Sequence, residues 1–171
     1  METGREPPPS KLTSTQIGAI GEAVVAAGLM HSSAGRLSPF KPFADDHGTD
    51  LLLFDKDTKG RAIPLQIKCR TGIDKGGTVQ FDVRLKTFAR EGSGYVLAAL
   101  LTGTTIQVCW LISAHELTTV ARLKSDKLVI VASPTPDAND KFKPYRHASL
   151  DPVARVILDD IARGFQLTGQ G

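Results

Sequence analysis

The 171 residues suffice for one domain, and a hydrophobic content of 41% is enough to fill a core. Twenty-one Lys and Arg against eighteen Asp and Glu leave a formal charge of +3, too small an average to name a partner class. No stretch approaches the ~20 apolar residues of a membrane helix, no signal-peptide core follows the N-terminus, and Cys69 and Cys109 lack the spacing of a zinc site or disulfide framework. A soluble protein of a reducing, cytoplasmic compartment is expected.

Residues 1–14 carry three consecutive prolines and almost nothing apolar, so they are expected to form a flexible tail. A single domain is assigned to residues 15–167, with 168–171 as a C-terminal tail. Ile17, Ile20, Val24, Val25 and Leu29 recur at helical spacing and predict a helix over Thr15 to Met30, capped by Ser14 or Thr15. Gly21 and Gly28 fall on one side of it, which permits close approach to a sheet. Gly35 to Pro42 reads as a loop. Thr49 to Phe54 reads TDLLLF, continuously apolar after its Asp, as in a strand buried on both faces.

After a polar turn at Lys56 to Gly60, Arg61 to Cys69 alternates: Ile63, Leu65, Ile67 and Cys69 face one way, Ala62, Pro64, Gln66 and Lys68 the other. Pro64 implies an edge position or a bulge. Thr78 to Arg84 alternates again, and the short connections suggest three consecutive antiparallel strands. A short helix over Leu85 to Arg90 and strands over Gly94 to Leu101 and Thr105 to Ile112 follow. SAHEL resembles a capping box opening a helix that runs to about Leu123. Lys127 to Ala132 is the last expected strand, Pro134 to Pro144 a loop, and Pro152 to Phe165 a closing amphipathic helix.

Gln66 and Lys68, two apart on a strand, project from one face, and Asp50 opens the preceding strand just after Gly48. Together they offer an anionic oxygen, an amide oxygen and an ammonium, the groups that metal-assisted attack on a phosphodiester requires. Glu22 sits at the rim of the helix's apolar stripe, from which a carboxylate can pass the sheet's edge. Between Lys56 and Arg90 nine basic residues face three acidic ones, an excess suited to phosphate but equally to a solvated surface. Arg70, Thr71, Lys75 and Arg84 from that stretch, with His47 in the DDHGTD loop, are the expected nucleic-acid contacts. The group Lys141, Lys143, Tyr145, Arg146 and His147 reads by default as an exposed basic loop, and Ser113 as a helix cap rather than a hydrolase nucleophile.

IGAIGEAVV with Glu22, HGTDLLLFD with Asp50, and PLQIKCR with Gln66 and Lys68 together resemble the PD-(D/E)xK nuclease superfamily, across about Ile17 to Arg84. The resemblance implies an α/β, restriction-endonuclease-like three-layer core, a central mixed sheet flanked by helices in the order α-β-β-β-α-β. It also implies magnesium or manganese bound by Asp50, Gln66, the Ile67 carbonyl and Glu22, with Lys68 acting on the nucleophilic water. Two departures stand out: no proline precedes Asp50, and Gln66 replaces the motif's Asp or Glu, as in the Gln-x-Lys variant of methyl-directed restriction enzymes. The expected activity is metal-dependent endonucleolytic cleavage of DNA; the alternative is a nuclease-like fold that binds nucleic acid or protein without cutting. The expected partners are DNA and, as a homodimer, a second copy of the chain, with no membrane.

Overall fold

The computed structural model describes residues 12–43, 48–58, 62–88 and 94–168, the last four of these in backbone only. Helix α1 spans Ser14–Ser32, capped by Thr13. The Thr13 hydroxyl accepts from the Gln16 N–H while the Gln16 side chain accepts from the Thr13 N–H. Ser14 and Thr15, the expected caps, therefore lie inside the helix, because only Thr13 has a glutamine three residues on to close the box.

The segment expected to be a loop contains an edge strand, β1 at Leu37–Phe40, antiparallel to β2 at Leu51–Asp55. Its Ser and Pro gave no strand alternation to read. Strand β3, Ile63–Arg70, pairs antiparallel with β2 on one side and parallel with β5, Tyr95–Thr102, on the other. Pairing with β5 begins at Leu65, so Pro64 costs that ladder nothing.

With both edges of β3 occupied, β4 at Val79–Arg84 cannot extend the meander. It leaves the sheet and pairs instead with β8, Lys127–Ala132, correcting the expectation of three consecutive antiparallel strands. A short 3-10 turn at Leu85–Thr87 follows it. Strand β6, Thr105–Ser113, continues the main sheet. Helix α2, Ala114–Val120, starts at the Ser113 cap as expected but stops short of Leu123. The β-branched run Thr118–Thr119–Val120 weakens the helix there, and Arg122–Lys124 becomes β7, hairpinned to β8 through Ser125 at φ +53°. A two-residue β9, Arg146–His147, is a strand beyond the last one expected, and α3 closes the fold over Leu150–Thr168.

The main sheet runs β1-β2-β3-β5-β6-β9, mixed because β3–β5 is the one parallel pair among the described strands; the second runs β4-β8-β7. One face of the main sheet presents Leu65, Ile67, Leu97 and Leu111 to Val25 and Leu29 of α1 and Val153 and Ile157 of α3. The other presents Val96, Ala98, Trp110 and Ile112 to Phe81 and Ile130 of the small sheet and Leu117 of α2. Of the two flanks, only one is built mainly of helix. No described helix is long and apolar enough to cross a membrane.

Asp55, its carboxylate fully enclosed, ties the two outer strands together by accepting from Arg36 Nη2 at 2.7 Å and from the Asp57 N–H at 3.1 Å. Burial pushes this carboxyl up, but the bonds from Arg36 and Asp57 and the charge of Arg36 outweigh it and hold it below the usual range. A depressed folded value means that the stabilisation is complete above the unfolded value of about 4 and is lost as pH falls through the folded one. Acid titration of unfolding should show this loss in the wild type and a flatter acid limb in Asp55→Asn. Close approach of α1 to β3 depends on Gly21, where a Cβ would lie 2.1 Å from Cys69 Sγ and 2.7 Å from Cys69 Cβ. Gly21→Ala should cost about 1–3 kcal/mol in urea unfolding. Gly28→Ala should cost less, because it meets only the mobile end of Leu150.

Candidate functional site

The site forms where β2 and β3 part. Asp50 donates its N–H to the Leu65 carbonyl at 3.0 Å, and its Oδ2 accepts the Ile67 N–H at 2.5 Å. The carboxylate thus stands in for a backbone acceptor and is fixed in the gap between the strands. N–H and C=O of one strand residue point to the same side, so the Ile67 carbonyl faces that gap as well. The chain reaches Asp50 through Gly48 at φ +63°, where a Cβ would lie 2.2 Å from the Thr87 carbonyl oxygen and 2.8 Å from Gln66 Nε2. Only glycine fits both the backbone angle and the space.

Gln66 and Lys68 project from the face of β3 opposite α1, beside Val96 and Ala98 of β5. On that face Gln66 is enclosed, with Gly48, Thr49 and Phe88 beside it, and Lys68 is half-buried. Among the described residues Gln66 Oε1 is buried with no hydrogen-bond partner, an arrangement that ordinarily costs free energy. Gln66 also borders a small cavity of about 30 Å³ with Thr49 and Phe88.

Glu22, on α1 next to Gly21, is partly buried and ion-paired to Lys41 at 2.6 Å. The Cys69 thiol reports the rest of the constellation. Burial first, then the negative charges of Glu22 and Asp50, push it up to about 12, with Lys68 opposing them. Glu22, Asp50 and Lys68 therefore lie within electrostatic reach of one sulfur, and Gln66 stands two residues before Lys68 on the same strand. Among the described residues no three His, Cys, Asp or Glu side chains are grouped to hold a metal by themselves. Any cation here would draw on the Gln66 amide and backbone oxygens beside the two carboxylates.

Arg70 and Thr71 border a cleft of about 520 Å³ that begins at Cys69. Lys75 precedes β4 and Arg84 ends it, so these two lie at opposite ends of a six-residue strand rather than on one patch. His47 lies outside the described residues. Arg146 is committed to Asp140 at 3.0 Å and to the Pro136 and Ala138 carbonyls, which makes it a loop fastener, and Ser113 Oγ caps Glu116 N–H. Sequence reasoning missed Lys41 and Thr87, since both reach the site from segments without periodicity.

No family model matches this chain, and no curated protein does. Among solved structures, the bacterial homing endonuclease I-Ssp6803I superposes with a TM-score of 0.60 at 13% identity, over 93% of this chain and 99% of that one. At that identity the likeness is one of fold: a nuclease-like α/β architecture around a central mixed sheet.

Proposed function

We propose that the chain is a PD-(D/E)xK-type endonuclease that hydrolyses phosphodiester bonds in DNA with magnesium or manganese. The observation that carries this reading is the Asp50 carboxylate fixed on the Ile67 N–H, between Gln66 and Lys68 on β3, beside a buried Gln66 oxygen that no described residue satisfies. The fold shared with a homing endonuclease supports it.

The donors suit a hard cation, since carboxylate, amide and carbonyl oxygens are what magnesium takes. Asp50, Gln66, the Ile67 carbonyl and Glu22 would hold it. Such an ion supplies polarisation of the phosphate and acidification of a water. Asp50 is held ready by the Ile67 N–H, and Gln66 by its enclosure beside Thr49 and Phe88. Lys68 places an ammonium where charge accumulates on the phosphate oxygens. Gln66 contributes no negative charge, and Glu22 is shared with Lys41, so Asp50 is the main anionic anchor. Those same two features favour the second reading, a module that binds DNA and does not cut it.

The purified chain should cut DNA in magnesium or manganese, and Asp50→Ala and Lys68→Ala should each lower the rate at least about a hundredfold. Unchanged cutting in both variants rejects the site. Salt-sensitive DNA binding with no metal-dependent cleavage selects the binding module. Gly48→Ala, which forces strain at φ +63° and collides with Thr87, should lower both the melting temperature and the cutting rate, by about 1–3 kcal/mol in stability.

A further inference from the structure

The cleft of about 520 Å³ is lined by Cys69 of β3, one residue beyond Lys68, and by the chain from there to Asp74. Its lining is chemically divided. Ile17 of α1 and Ile73 of the β3–β4 loop present apolar surface, and Ile73 is 55% exposed, outside both hydrophobic cores. Opposite in character are Arg70 and Asp74. Arg70 Nε donates to the Gln80 carbonyl at 3.0 Å, which orients the guanidinium while committing one of its five donors.

A bare phosphate matches this lining poorly, because Asp74 repels it and the isoleucines gain nothing from it. A nucleotide matches all of it. The base's π-face lies against isoleucine, an exocyclic amino group donates to the Asp74 carboxylate, and the attached phosphate meets Arg70. The volume falls within the ~300–1,000 Å³ of small-ligand sites. A base stacked within a duplex cannot offer its face, so it must first leave the stack.

Building on the nuclease reading, we propose that the cleft takes one unstacked, amino-bearing nucleotide next to the phosphate at the candidate site. The substrate is then DNA with an unpaired or extruded base, not uninterrupted duplex.

The test uses the full chain in metal-free buffer with chelator, where cutting is suspended, and three fluorescent duplexes: perfect, with one unpaired adenine, and with one unpaired thymine. The adenine bulge should bind about tenfold tighter than the perfect duplex, and the thymine bulge less tightly than the adenine bulge. Ile73→Ala and Asp74→Ala, both on exposed positions of the loop, should each remove most of that preference while leaving perfect-duplex affinity within about twofold. Equal affinity of the wild type for all three duplexes overturns the proposal, as do variants that weaken all of them alike. Cutting of perfect duplex in magnesium together with equal affinities rejects the cleft and keeps the nuclease. A bulge preference without cutting does the reverse.

Discussion

A single charge-assisted hydrogen bond, from the Ile67 N–H to the Asp50 carboxylate, governs how the candidate site is built. It replaces one rung of the β2–β3 ladder with a side chain, so the two strands separate without leaving a buried donor unpaired. The gap this opens is where carboxylate, carbonyl and amide oxygens can face one another. Gly48 and Thr87 close it from the other side, and a glycine's freedom is what lets the chain turn in so tightly.

The surrounding architecture explains why such a gap matters. The main sheet is covered on both faces, by α1 and α3 on one and by the small sheet and α2 on the other, so almost every strand residue is committed to packing. Towards the end of β3 polar side chains follow one another less deeply buried. Lys68 is half-buried there, Arg70 is exposed, and Cys69 lies under Gly21 with its thiol held neutral far above physiological pH. Burial strengthens the electrostatics of the group and limits how water can reach it.

Local pattern carried much of this. The alternation of Ile63, Leu65 and Ile67 located β3 and its two faces, and the helical spacing of Val25 and Leu29 located the buried stripe of α1. Pairing choices were less legible, because they are settled by which edges remain open after distant strands have docked. Nothing in VQFDVR says that β5 will occupy the far edge of β3 and send β4 into another sheet. The same holds for the polar face, since alternation marks Gln66 as pointing away from α1 but not that Thr49 and Phe88 will lie beside it. Lys41 is a further case: nineteen residues from Glu22 and outside any periodic segment, it could be placed beside the helix only by the hairpin of β1 on β2.

That hairpin has one more effect. Lys56 donates its N–H to the Arg36 carbonyl, and the register continues through Ser38 opposite Phe54 and Phe40 opposite Leu52, so residue 39 turns its backbone outward. Residue 39 is proline, which presents a ring where an approaching strand would look for a donor. The far side ends in β9, only two residues long. A second copy approaching the β1 rim therefore meets an interrupted ladder, which works against fibrous self-association along that edge.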